Sequence, residues 1–276
     1  MKQFIRHIGI LVLMAASVQG AAVFPLPPFT VYGKVRDWNG RTLSSADEAT
    51  VIVKVRGVEL ARCDAKSGSY QSLTYRVEIP MASGKLAGRG QVGDPITFEV
   101  YFDGQLHSVS ASQTPLVVGN PASSVCCSLV VGTFSFGDDL PDEYKQLLLA
   151  YYQMAGRGDD LASISPNDDF DGDGFSNLQE FLAGTIPVLG DDYLKIVKFT
   201  QLENRYLAIS FLSAPGRTYS VPNSKNIHSN KWNSSGFALS SNAPSTQFYT
   251  SEQDANTTLY LLPDTNTAAF YRLEVE

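Results

Sequence analysis

The sequence predicts a mainly β protein: two sandwich-like, immunoglobulin-like β-domains joined by a short helical segment. Three observations predict it. Residues 29–134 hold short runs rich in Val, Ile, Thr, Tyr and Phe, broken by turn residues. The same texture returns from residue 193 to the end. Between the two, residues 138–156 change to a helical period. With 276 residues, 43% of them apolar, the chain is long enough for two ordinary domains with cores of their own.

The first strand-rich part contains FTVYGKV, ATVIVKV, SLTYRVEI, ITFEVYF and SLVVGTF. ITFEVYF alternates apolar and polar residues, the period of a half-buried strand. Asn39-Gly40, Gly57 and Asp103-Gly104 supply turns between runs. Short strands punctuated in this way argue for an antiparallel sandwich. In the helical part, Tyr144, Leu147, Leu148 and Tyr151 stand at i, i+3, i+4 and i+7, one face of a helix. Pro141 suits its first turn, and Asp138 or Asp139 can cap it. Asp142 and Glu143 suit its positive end, and Gly156 ends it. A Gly- and Asp-rich loop, read as flexible, follows to Pro166. The last part contains YLKIVKF, YLAISFL, RTYSV, TQFYT, TLYLL and AFYRLEV, and Leu207, Ile209 and Phe211 alternate. The expected boundaries are 23–135 for the first β-domain, 136–190 for the helical segment and 191–276 for the second β-domain.

Residues 1–22 read as a secretory signal. Lys2 and Arg6 make a basic start, and the apolar run IGILVLMAASV is too short to span a membrane. Small residues place cleavage near Gly20 or Ala22. No second long apolar run follows, so the mature chain is expected to be exported, with no membrane span. A net charge of −7 and no basic run after residue 6 argue against nucleic acid as a partner. Export permits disulfides. Cys63, Cys126 and Cys127 are an odd set. Neighbours on a strand face opposite ways, so Cys63 can pair with only one of the other two. Three buried thiols are the alternative.

The densest chemistry lies in DDFDGDGFSN, residues 168–177, where four aspartates crowd into a chain only 18% charged. Packed carboxylates repel one another unless a cation sits among them. From Asp169, the chain reads as a twelve-residue loop, D-F-D-G-D-G-F-S-N-L-Q-E. Carboxylates at positions 1, 3 and 5, glycine at 6 and glutamate at 12 form the EF-hand calcium pattern. Asp169, Asp171 and Asp173 would each give a side-chain oxygen, and Phe175 its backbone carbonyl. Asn177 would act directly or through a water, and Glu180 would close the shell with both oxygens. Calcium takes such hard oxygen donors. Magnesium prefers smaller, water-rich sites, and transition metals prefer His or Cys. Ser176 at position 8 and the separation of the 141–155 helix from the loop argue against a paired EF-hand. The loop with its exit helix reads as half of one, docked by Phe175 and Leu178 against the Tyr144–Tyr151 helix. Phe175, Leu178, Phe181 and Leu182 share a face of the exit helix, which Gly184 and Pro187 stop.

The run LPDEYKQ…PNDDFDGDGFSNLQEFLAGTIP resembles the thrombospondin type 3-like and dockerin-like calcium segments of large secreted bacterial proteins. The resemblance covers residues 138–187. PGRTYSV, Trp232 and the closing FYRLEV look like the β-domain that often follows such segments. The resemblance implies calcium, export and a segment that joins β-domains, and it implies no single activity. A dockerin has two such loops in tandem, and one is found here. A second ion at Asp138, Asp139 or Asp142 stays open.

Other motifs are weaker. GRGQVG, residues 88–93, is followed by Asp94-Pro95 and a strand, not the helix of a dinucleotide site. Arg157-Gly158-Asp159 is a short tripeptide of the adhesion type. His107 and His228 lie in no zinc or triad context. Acid pairs drawn from Asp37, Glu99 and Asp103 could in principle serve glycoside hydrolysis, which requires a set separation that sequence alone does not give. The expectation is a secreted, non-enzymatic, calcium-binding β-protein that binds an extracellular polysaccharide or surface protein. The alternatives are a carbohydrate-binding accessory module, with Trp38, Trp232 and Tyr249 exposed on one flat face, or a hydrolase with an unrecognised site.

Overall fold

Alternating and continuous apolar runs become strands where the sequence places them, although their pairing is not wholly antiparallel. The computed structural model describes residues 23–66, 73–202, 205–240, 243–262 and 269–275. The signal-type segment 1–22 lies outside the described residues. In chain order the first strands are β1 (Pro25–Gly33), β2 (Val35–Arg36), β3 (Thr50–Val55), β4 (Val58–Asp64), β5 (Tyr75–Ala82) and β6 (Pro95–Phe102). They continue with β7 (Gln105–His107), β8 (Val109–Ala111), β9 (Leu116–Val117), β10 (Ser124–Cys126) and β11 (Leu129–Val131).

Three sheets form from them, ordered β10-β1-β5, β2-β11-β8 and β4-β3-β6-β7, with β9 also on β6. Arg56-Gly57 joins β3 to β4 and Asp103-Gly104 joins β6 to β7. Both pairs carry two positive φ angles, as a two-residue hairpin turn requires. The expectation of a purely antiparallel arrangement fails at β1–β10 and β2–β11, which are parallel. The chain returns to β1 and β2 after long excursions, and only a tight hairpin forces antiparallel pairing. β4 was not expected, because VELARCD has no clean alternation.

The burial of β5 follows its sequence: Tyr75, Val77 and Ile79 point inward while Arg76 and Glu78 point out. These side chains share one cluster with Val31 of β1, with Val51 and Val53 of β3 and with Phe98 and Val100 of β6. Cys127 is buried in this cluster, and all three cysteines are free thiols. Burial pushes the Cys63 thiol up to about 11.

Helix α1 spans Asp142–Met154 and α2 spans Asn177–Ala183. Pro141 is the N-cap of α1, not its first turn, and no side chain caps that end. The expected face is also rotated. Tyr144, Lys145, Leu148 and Tyr152 are buried, whereas Leu147 and Tyr151 line a cleft of about 520 Å³. The loop read as flexible is tied down. Leu161–Ser163 is a 3-10 turn capped by Asp160, and Ile164 is buried with Leu140, Tyr144, Tyr152 and Phe181.

Later strands are β12 (Ile196–Gln201), β13 (Leu207–Ser213), β14 (Thr218–Ser220), β15 (Asn223–Ser224), β16 (Phe237–Ala238), β17 (Tyr249–Thr250), β18 (Ala255–Leu261), β19 (Phe270–Tyr271) and β20 (Glu274–Val275). They form sheets β12-β13-β18-β16, β17-β14-β20 and β15-β19. A third apolar cluster collects Ile209, Phe211, Tyr219, Val221, Phe237, Leu259 and Leu261. The described chain is mainly β, in several sheets. None of its helices is long and apolar enough to cross a membrane.

Tyr75 is 1% exposed, and its hydroxyl donates to the Cys127 carbonyl, tying β5 to the segment between β10 and β11. Tyr75→Phe keeps the packing and strips that buried carbonyl of a donor. It is expected to cost about 1–3 kcal/mol in a denaturant titration. An unchanged midpoint would show that the bond contributes nothing.

Candidate metal centre

The loop between α1 and α2 is built by its own side chains. Asp171 accepts from Asp173 N at 3.2 Å, and Asp173 accepts from Phe175 N at 2.8 Å. Asp169 accepts from Gly172 N at 2.7 Å and from Gly174 N at 2.9 Å. These local bonds bend the chain so that the carboxylates converge. One oxygen from each of Asp169, Asp171 and Asp173 lies within 4.8 Å of the others. Gly174, at loop position 6, has φ 98°.

Helix α2 carries Glu180, which lies outside the three-aspartate cluster, although the aspartate charges act on it. Ser176 is its N-cap, and Ser176 with Gln179 forms a reciprocal capping box. The Ser-x-x-Gln spacing is a helix-start signal that the reading of position 8 overlooked. The cap orients α2 so that Glu180 is buried, at 1% exposure. Among the described residues, Glu180 Oε1 meets only Thr185 Oγ1, at 3.5 Å, and Oε2 has no partner. Asp171 Oδ2 and Asp173 Oδ2 are likewise buried without a partner. Among the described residues none of these four carboxylates joins an ion pair. Burial first, and then the Asp171, Asp173 and Asp169 charges, push the Glu180 carboxyl up to about 8. Burial also raises Asp171.

Asn177 is fully buried. Its Nδ2 donates to Tyr152 Oη and to the Ser165 carbonyl, both at 2.8 Å, which fixes the amide's orientation. Its Oδ1 is buried and without a partner among the described residues, as a ligand arm would be. Tyr152 Oη also donates to Asp168, at 3.3 Å. Tyr152 thus anchors both ends of the loop to α1, a role the expected face of α1 missed. Phe175 does not dock on α1; its ring stacks on Tyr193 at 5.4 Å. The docking contacts are Phe181 on Tyr144 and Phe170 on Tyr152, each at 4.8 Å. Leu178 and Leu182 pack beside them.

Of the three residues left open for a second ion, Asp138 and Asp142 have other partners. Asp138 pairs with the buried Lys145, whose ammonium also lies 4.6 Å from the Phe136 ring. Asp142 accepts from Ser135 N. Arg157 covers the Phe170 ring at 4.5 Å and reaches the Asp169 carbonyl, so the tripeptide's arginine is packed on the loop. Elsewhere, Asp37 pairs with Arg41 and Glu99 with Lys54. Trp232 carries the Arg272 guanidinium over its ring, Tyr249 stacks on buried Tyr219, and Trp38 is 38% exposed on the turn after β2.

A site of carboxylates, an amide oxygen and a turn carbonyl offers only hard oxygen donors, which suit calcium better than a transition metal. Family models, curated proteins and solved structures were compared with the chain, and none matches it.

The Glu180 shift has a sign that can be tested. Its folded value of about 8 lies above the ordinary glutamate value of about 4.3. In the metal-free protein its contribution is therefore fully present below that ordinary value and is lost as the pH rises through the folded one. In chelator, wild type is expected to lose stability relative to Glu180→Gln between about pH 5 and about pH 8, and saturating calcium to reverse the difference by stabilising wild type alone. Parallel melting profiles of the two proteins in chelator would contradict the burial of a lone charge.

Proposed function

We propose that the chain is an exported, non-enzymatic, calcium-binding β-protein. In this reading one calcium ion is held by Asp169, Asp171, Asp173, the Phe175 carbonyl, Asn177 and Glu180. It stiffens the helical segment 136–190 between two sandwich-like, immunoglobulin-like β-domains, 23–135 and 191–276. The signal-type start and the resemblance to thrombospondin type 3-like and dockerin-like segments support export and a joining role. Binding or adhesion outside the cell, to a polysaccharide or a surface protein, is the purpose such an arrangement fits.

The observation that carries the reading is Glu180: 1% exposed, with Oε2 unpartnered, beside two further buried and unpartnered carboxylate oxygens. A buried carboxylate without a counter-charge costs several kcal/mol. A divalent cation removes that cost for all of them at once. Calcium coordinates six to eight oxygens at roughly 2.3–2.6 Å, and the six expected groups, with Glu180 bidentate, fill such a shell.

Calorimetric titration of the chain lacking residues 1–20 tests it. About one calcium ion is expected to bind, and at a hundredfold excess over Kd to stabilise the fold by about 2.7 kcal/mol. The triple variant Asp169→Asn, Asp171→Asn, Glu180→Gln is expected to lose both effects. No binding heat, together with identical melting in calcium and in EDTA, would overturn the reading.

A further inference from the structure

Arg217 lies where the three parts of the chain meet, and it is 4% exposed. Its Nη2 donates to the Asn39 carbonyl at 2.7 Å and to the Phe181 carbonyl at 2.9 Å. A single nitrogen of the β14 entry therefore bridges the turn after β2 and helix α2. Phe181 directly follows Glu180 in the same helical turn. The turn at Asn39 is itself held by Asp37, which accepts from Asn39 N at 3.0 Å and from Arg41 N at 2.9 Å. A second bridge, from Thr42 N to the Gly216 carbonyl at 3.0 Å, runs alongside.

The seam has no slack. A methyl group on Gly40 would stand 2.7 Å from the Phe181 carbonyl oxygen and 3.0 Å from Arg217 Nη2. One on Gly184 would stand 2.8 Å from Ala214 Cβ and 3.0 Å from Arg217 Nε. Both glycines also have positive φ, so no other residue serves there without strain. Burying a guanidinium against carbonyls, with Nε unpartnered, is costly, and an apolar side chain would fill the space more cheaply. What arginine adds is reach: a planar donor that joins two backbones and is sensitive to where each one lies.

We propose that Arg217 relays occupancy of the carboxylate loop to the Asp37–Thr42 turn, so that calcium sets how the N-terminal strands seat on the rest of the molecule. The proposal rests on the calcium reading above. With the ion bound, Glu180 is drawn toward Asp169, Asp171 and Asp173, and the Phe181 carbonyl is held under Nη2. Without it, the four carboxylates repel, the hold on α2 loosens, and the bonds from Nη2 to the Phe181 and Asn39 carbonyls open more often. Arg217 is a positioning residue in this scheme and touches no ligand atom.

Linkage makes the relay reciprocal: weakening the seam must weaken calcium binding by the same factor as calcium strengthens the seam. Hydrogen exchange read by mass spectrometry on the full chain, in calcium and in EGTA, tests it. Calcium is expected to slow exchange at residues 168–184 and also at 37–42. In Arg217→Met, calcium is expected to protect 168–184 but no longer 37–42, and the calcium Kd to rise about fivefold or more. Arg217→Lys, which keeps a charge and one donor, is expected to recover part of both. If calcium protects 168–184 in wild type while exchange at 37–42 is unchanged, the relay is wrong and the calcium site stands. If calcium protects neither segment, the calcium reading falls and takes the relay with it. Should Arg217→Met fail to fold, the wild-type comparison decides alone.

Discussion

Like charges gathered at the edge of a buried cluster are the constraint around which the middle of this molecule is organised. Asp169, Asp171 and Asp173 use local backbone bonds to bend the loop, and that bend gathers the three carboxylates, whose charges act on the buried Glu180. The apolar support beneath is thin: Leu140, Tyr144, Leu148, Tyr152, Ile164 and Phe181 form the whole buried cluster among the described residues. A core of that size supplies little stability by itself, and small cores elsewhere in proteins are stapled by disulfides or metals. The segment has polar staples of its own. Tyr152 holds Asn177 and Asp168, and Ser176 with Gln179 closes the start of α2. These staples fix the loop and the start of α2, and none of them neutralises a carboxylate.

Much of this was legible in the sequence, for identifiable reasons. The convergence of Asp169, Asp171 and Asp173 was legible because their spacing is strict, and the burial of Asn177 and Glu180 fits the positions expected of them. Strands such as β6 and β13 were legible because one face is buried and the other is not. The face of α1 was misjudged because two overlapping apolar stripes compete there. Tyr144, Leu148 and Tyr152 took the core, and Leu147 and Tyr151 were left to the cleft. Phe175 was misassigned for a related reason: its ring stacks on Tyr193, eighteen residues on, and no local period points there.

The contacts between the parts were not legible at all. Parallel pairing of β1 with β10 joins segments about ninety residues apart, and nothing in either run specifies a partner. The seam at Arg217 is made of backbone carbonyls and glycines, which carry no side-chain pattern. Sequence periodicity reports which face of an element is buried. It does not report which carbonyl will receive a donor from a distant part of the chain.

Lys145 has a consequence of a different kind. It is a fully buried cation on α1, paired with Asp138 and set over the Phe136 ring. A lysine is part of the chain, so no chelator can remove it, and the start of α1 keeps its charge balance whatever the solution contains. Its ammonium is committed to Asp138 and so is not available to Asp169, Asp171, Asp173 and Glu180. In the calcium reading proposed above, the two ends of the helical segment therefore differ in kind: one is neutralised by a side chain, the other by an ion that can come and go.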